Sequence, residues 1–474
     1  MIDADVDSRF SYFQFFSEIV AMSITAQVAR FSAQTPTRDI PEHVRQRALA
    51  LMTDFAGSAI RAAEDCESSP VILRMLERLG LAGEGNCTVF GLNRRYGAAA
   101  AALLNGAFGH SLDFDDTHSD SSLHPSAPVI PAALAAAELT DASGDELMAA
   151  IVIGLEVCCR LGMALDPAAH YARGFHPTAT AGVFGAAAAA GRLFGLDAVR
   201  VEAAFGVAAS QASGSLQFLE NGAWNKRYQV GEAAMKGLMA ASLAVEGFVG
   251  ALDALSGRHG FLKGYSDNAD TALAVAGFGS VWETLRIGVK PYPACRYTHA
   301  AVDGLLQLCR QHAIGAENIT GIRVGLHRNG MALVGEPIAA KRRARSIVAG
   351  QFSMPFAAAV VLQRGRFGWD DYDLLGQAQT DALSDRVEVW HDASLEGLRH
   401  PFGATLVLEA AGRQHHLRIP DPSGEPETFP SSAQMAEKFR TLTAPVLARS
   451  GVDWLTRLQT LAGAPTVRGH LMNG

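Results

Sequence analysis

From about residue 40 to 275 apolar positions recur every three to four residues, the period of helices with one packed face. The stretch PEHVRQRALALMTDFAGSAIRA (41–62) carries this pattern, with Pro41 placed to open the helix. SGDELMAAIVIGLEVCCRLGMAL (143–165) begins with a cap-like Ser143-Gly144-Asp145 and runs on as a long buried helix. GEAAMKGLMAASLAVEGFVG (231–250) is a Gly-led helix that Gly247 should stop. After about 276 the texture changes. ITGIRVGLH (319–327), DRVEVWHD (385–392) and GATLVLEAAGRQHHLRI (403–419) alternate and carry β-branched residues, with a turn at Ala411-Gly412. These are expected strands, with helical segments at 298–313 and 350–363 between them. A Pro-rich stretch (420–430) precedes a return to helices. The fold expected is mainly α: a large all-α helical domain (1–275), an inserted smaller α+β lid domain (276–424), and C-terminal helices (425–474) that come back to the first.

Composition narrows the classes. The chain has 474 residues, 49% hydrophobic and 19% charged, which suits a packed globule of two or three domains. A net charge of −8 gives no basic field for nucleic acid, so none is expected as a partner. The basic run Lys341-Arg342-Arg343-Ala344-Arg345 reads as a solvated face or a subunit contact. MIDADVDSRF has no cationic segment before an apolar core, so no signal peptide is expected. TATAGVFGAAAAAGRLFG (178–195) is made of small residues broken by Arg192, which fits a crowded helical core and not a membrane span. Of the six cysteines (66, 87, 158, 159, 295 and 309) none forms a CxxC pair, which argues against disulfides, structural zinc and iron–sulfur clusters and favours a cytoplasmic location. No GxGxxG or GxxxxGK[ST] is found, so no nucleotide cofactor is indicated.

Against this background GHSLDFDDTH (109–118) gathers two histidines and three aspartates in ten positions. Asp113-Phe114-Asp115-Asp116 starts like a calcium loop, but Thr117 and His118 fall where a ligand and the turn glycine are needed. A hard-ion site elsewhere on these aspartates and helix capping by Asp115 or Asp116 are the other readings. His124-Pro125-Ser126 and His176-Pro177-Thr178 each place a histidine at a helix start, where it can meet an anion and exchange a proton with it. NGAWNKRYQVGEAAMKG (221–237) sets Lys226-Arg227 just before a helix, and IGVKPYPACRYTH (287–299) holds Lys290, Cys295, Arg296 and His299 in a proline-braced turn. A substrate with several carboxylates needs such cations.

These segments, together with HPSAPVIPAALAAAE, GFHPTAT, GFVG…GRHGF and GQFSMPFAAAVVL, resemble the MmgE/PrpD family in order and across nearly the whole chain. That family includes 2-methylcitrate dehydratase, cis-aconitate decarboxylase and iminodisuccinate epimerase. The resemblance implies a helical domain with an α+β lid, a homodimer, no metal or organic cofactor, and a pocket between the two domains. Asp113, Thr117, His124, His176, Lys226 and Lys290 match the family's active-site positions.

The chain departs from the family's pattern at Gln229, where many members carry histidine. Cys295 aligns with a histidine of the aconitate decarboxylases, and one extra residue precedes His124. These departures weigh against decarboxylation and put a hydro-lyase acting on a 2-methylcitrate-like 2-hydroxy acid first, with epimerisation next to a carboxylate or an itaconate-forming decarboxylation as alternatives. A scaffold without activity is a further class, which the retained Asp113, His124, His176, Lys226 and Lys290 oppose. In the expected mechanism Lys226, Lys290 and the helix start at Pro177 hold the carboxylates. His124 or His176 moves a proton, and Asp113 orients or balances a histidine. Thr117, Arg227, Gln229, Cys295 and Arg296 complete the expected substrate contacts, with Cys295 a possible thiol acid.

Overall fold

A computed structural model describes residues 22–397, 401–448 and 452–472. The readings of MIDADVDSRF and of the two ends of the chain lie outside the described residues. The protein is mainly α, with a small α+β part.

The longest helices among described residues 22–275 are α1 (Ile24–Gln34), α2 (Glu42–Asp65), α3 (Ala98–Gly109), α4 (Ser126–Thr140), α5 (Gly144–Ala164), α6 (Gly182–Leu193), α7 (Ala198–Gln211) and α8 (Asn225–Val245), with shorter ones between them. Pro41 precedes α2, as its fixed φ favours. A capping box closes the start of α5, Ser143 Oγ accepting from Glu146 N–H and the Glu146 carboxylate from Ser143 N–H. By length and composition α5 could cross a membrane, yet nearly all of it is buried among its neighbours. Helix α6 packs on α4, α5 and α8, and α8 on α3. Small residues permit this crowding: a Cβ on Gly231 of α8 would sit 2.4 Å from the carbonyl oxygen of Leu103 in α3.

That contact corrects the expected start of α8. Gly231 is an interior crossing point, and the helix begins six residues earlier because Asn225 to Val230 contain no breaker. Lys226 and Arg227 therefore lie in its first turn and not in a preceding loop.

The smaller part holds a four-stranded sheet in the order β4 (Val387–His391), β3 (Ile319–Leu326), β5 (Ala404–Ala410), β6 (Arg413–Ile419), with β3 and β4 parallel and the other pairs antiparallel. The β5–β6 hairpin turns through Ala411 and Gly412, both at positive φ, as a two-residue hairpin loop demands. Helix α9 (His299–His312) covers β5 and β6. The expected helix over 350–363 is broken at Phe352, and Ser353 caps a fresh helix, α10 (Met354–Arg364).

One feature, a short strand pair, was not anticipated. Strand β1 (Asp116–His118) pairs antiparallel with β2 (Ile287–Val289), so Asp116 faces Val289. Strands of three residues are too short to show a period. The last long helix, α11 (Ser432–Leu447), lies on α2, with the Phe439 ring against Gly57 and Arg61 donating to the carbonyl of Leu442.

Candidate active site

Helix α3 ends at Gly109, and His110 caps it. The chain then turns through Asp113, whose φ of 53° lies in the left-handed region that few non-glycine residues adopt. From there it enters β1. This turn points the three aspartates at three different partners. Asp113 Oδ1 receives the ammonium of Lys226 from the first turn of α8, and that of Lys290, just after β2, at 3.0 Å. Lys290 also donates to the Asp113 carbonyl at 3.1 Å. Asp115 Oδ2 takes Nδ1 of His110 at 2.5 Å. Asp116 accepts from the N–H and hydroxyl of Ser126 and so caps α4. The capping reading holds for Asp116, and the aspartates do not converge on one ion. Asp113 balances lysines and not a histidine; the carboxylate that orients an imidazole is Asp115.

Electrostatics follow from this arrangement. Burial alone would raise the Asp113 carboxyl, but Lys226 and Lys290 outweigh it and hold it well below the usual range. Asp115 is likewise buried and held down by His110 and His124. Asp116 has no cation paired with it among the described residues; burial and the Asp115 charge push it well above the usual range.

Three imidazoles form a row. The rings of His110 and His124 are 5.1 Å apart and those of His110 and His176 are 5.9 Å apart. Burial lowers all three, His124 to about 3, with the nearby lysines adding to the effect. His124 Nδ1 lies 2.6 Å from the Asp116 carbonyl oxygen and 3.4 Å from the Thr117 hydroxyl. The carbonyl can only accept, so Nδ1 carries the proton and Nε2 the lone pair. Gln229 settles His176 the other way. Its Oε1 accepts from the Ser215 N–H, so its Nε2 donates to His176 Nδ1 at 2.7 Å. His176 therefore carries its proton on Nε2.

A small cavity of about 10 Å³, the room of roughly one water molecule, lies here. One wall is polar (His110, Asp113, Lys226 and Gln351) and another apolar (Phe218, Val348 and Phe352). Buried polar atoms in the cluster lack partners: Nε2 of His110, Oδ2 of Asp113 and Oδ1 of Asp115. Unpaired groups of this kind are costly to bury, and they cluster where a ligand would satisfy them.

The structure thus gathers Asp113, Thr117, His124, His176, Lys226, Gln229 and Lys290. Arg227 lines the cavity while donating to Ser68 Oγ at 3.1 Å. The Cys295 thiol is buried within range of the Asp113, Lys226 and Lys290 charges and is pushed up to about 11, so it stays protonated. Arg296 does not join them. Its guanidinium is occupied by Glu425, the Ser423 carbonyl and His299, so it braces the 287–299 turn.

Three site residues escaped the sequence reading. His110 and Asp115 stood inside the quoted stretch, and their five-residue spacing across a helix end was the available signal. Lys438 of α11 gave none. Its buried ammonium bonds the carbonyls of Phe114 (2.9 Å) and Lys290 (2.8 Å) and pairs with Asp54 at 2.7 Å.

Comparison with known proteins fits this geometry. The MmgE/PrpD N-terminal domain matches residues 26–274, and the MmgE/PrpD C-terminal domain matches residues 292–459. The cis-aconitate decarboxylase-like protein oryM of Aspergillus oryzae is 29% identical over 90% of this chain and 91% of its own. The cis-aconitate decarboxylase of Aspergillus terreus is 29% identical over the same shares. The Homo sapiens cis-aconitate decarboxylase is 32% identical over 45% of each chain.

Proposed function

The chain belongs to the MmgE/PrpD family, and from that premise we propose that it is a carbon–carbon lyase that decarboxylates an unsaturated tricarboxylate of the cis-aconitate kind. One observation carries the reading: two ammonium groups on the Asp113 carboxylate and a row of neutral imidazoles cluster around a small cavity, which Lys226 and His110 line together with apolar Phe218, Val348 and Phe352. Relatives aligned over nine-tenths of the chain carry the name cis-aconitate decarboxylase, which moves this reaction ahead of the dehydration first expected.

The chemistry suits the site. Each ammonium has three donors and gives only part of them to Asp113, so both can also hold carboxylates that the product keeps. A carboxylate that leaves as carbon dioxide sheds its charge in the transition state. The apolar wall of Phe218, Val348 and Phe352 solvates that charge poorly from the start, which favours its loss. As the bond to that carboxylate breaks, its electron pair forms a new double bond. The old double bond then takes a proton at the carbon beside a retained carboxylate. The reaction consumes one proton, so the site must supply an acid near the cations. Cys295, the departure that counted against this reaction, remains a protonated thiol in the same charge cluster. Measurement of carbon dioxide release from a panel of di- and tricarboxylates tests the proposal. Release from cis-aconitate supports it, and alkene formation from a 2-hydroxy acid without release refutes it.

A further inference from the structure

The acid must be chosen among three histidines, and their hydrogen bonds differ in a way that decides it. His176 Nδ1 accepts a proton from the Gln229 amide. An imidazolium has no lone pair there, so this partner opposes a second proton on the ring. His124 Nδ1 donates to the Asp116 carbonyl, which tolerates either state without favouring the cation strongly. His110 alone of the three has a carboxylate within hydrogen-bond distance, Asp115 Oδ2 at 2.5 Å, whereas His124 Nδ1 lies 3.9 Å from Asp115 Oδ1. It also lines the cavity, is 2% exposed, and its Nε2 is buried with no partner. We propose that His110 is a further catalytic residue, which takes up a proton when a polycarboxylate enters and delivers it from Nε2 to the substrate carbon.

Charge balance supplies the physical cause. The groups facing His110 are Asp115 and Asp113, which favour its cation, and Lys226, which opposes it, with the neutral His124 and His176 rings on either side. With Lys290 on Asp113, two positive and two negative charges nearly cancel, and burial keeps the imidazole neutral. A tricarboxylate adds three negative charges to this pocket. The ring that a carboxylate already supports is then the first to protonate. In the reaction the Nε2–H bond breaks, and the π electrons of the substrate take the proton. The bond to the departing carboxylate becomes the new double bond, and carbon dioxide leaves. His110 ends neutral, as it began. Asp115 is the positioning residue that holds the ring.

The inference rests on the polycarboxylate reading, and its test separates the two. Titration calorimetry with propane-1,2,3-tricarboxylate, a saturated acid that cannot rearrange, is run near neutral pH in buffers of different ionisation enthalpy. Wild-type protein should bind it and take up most of one proton per site. In both His110→Asn and Asp115→Asn, uptake should fall several-fold while binding persists. His176→Gln should retain the uptake. Binding by the wild type without proton uptake, a result that depends on no variant folding, overturns the role of His110 and leaves the polycarboxylate reading standing. Uptake that survives in His110→Asn but vanishes in His176→Gln overturns it as well. Absence of any binding overturns the substrate reading and this inference together.

Discussion

Nζ of Lys290 lies 3.0 Å from Oδ1 of Asp113, the oxygen that also receives Lys226. The two lysines come from different segments, the first turn of α8 and the residue after β2, and one carboxylate oxygen holds both beside the cavity that Lys226 lines. An anion entering that cavity meets Lys226 at its wall and feels the charge of Lys290 behind the shared carboxylate.

Removing one lysine should therefore weaken substrate capture and turnover together. Lys290→Met preserves the length of the stem and deletes the charge. Loss of a charge-assisted contact costs about 2 kcal/mol or more, so kcat/KM should fall at least roughly thirtyfold. Thermal shifts with propane-1,2,3-tricarboxylate should shrink in parallel. Unchanged steady-state kinetics would remove Lys290 from the site.

Acid sensitivity follows from the imidazole row. Folding holds His124 down at about 3 and lowers His110 and His176 too. An unfolded chain protonates its histidines near pH 6.5, so below that pH the unfolded state binds more protons and gains on the native one. The contribution of these groups is complete above about pH 6.5 and is lost as the pH falls toward 3. Each group accounts for at most about 1.4 kcal/mol per pH unit within that window. Buried carboxyls such as Asp116 titrate with the opposite trend, and comparison of a variant with wild type cancels them. Urea midpoints of His124→Gln should decline less steeply than those of wild type from about pH 6.5 downward; parallel curves would contradict the assignment.

Arg296 offers a discrimination between bracing and binding. Its ion pair with Glu425 is buried on both sides. Arg296→Gln should cost about 3–5 kcal/mol of stability, the usual penalty for breaking a buried pair, and leave KM near the wild-type value. A large rise in KM with stability intact would restore Arg296 to the substrate.

Lys438 joins the loop of Asp113 to the strand of Lys290 through two carbonyls. Lys438→Met should lower kcat more than it raises KM, because the lysines stay present while their relative placement loosens. A variant with native kcat would limit Lys438 to a structural contact.

Much of this molecule could be read from its residues. The capping box at Ser143, the break at Gly247 and the turn at Ala411-Gly412 are local events, and local chemistry announces them. The strand pair β1–β2 was not legible, because it is three residues long and joins segments about 170 positions apart in the chain. Helix α8 was misplaced at its start because Gly231 reads locally as a boundary, whereas its role is to let α3 approach. Among site residues the lysines and the two His-Pro histidines stood out by their setting. His110 and Asp115 sat in the same stretch, but which aspartate serves a histidine depends on the left-handed turn at Asp113, which no periodicity encodes. Lys438 lies 324 residues from the carbonyl it holds.

The central claim is that this cavity removes a carboxylate while protonating the carbon beside another. NMR of the products formed from cis-aconitate in deuterated water tests it most directly. The account predicts carbon dioxide, a terminal alkene on an acid one carbon shorter, and a single deuterium next to a retained carboxylate. Addition of water with every carbon conserved, or deuterium exchanged into an otherwise unchanged acid, would contradict it.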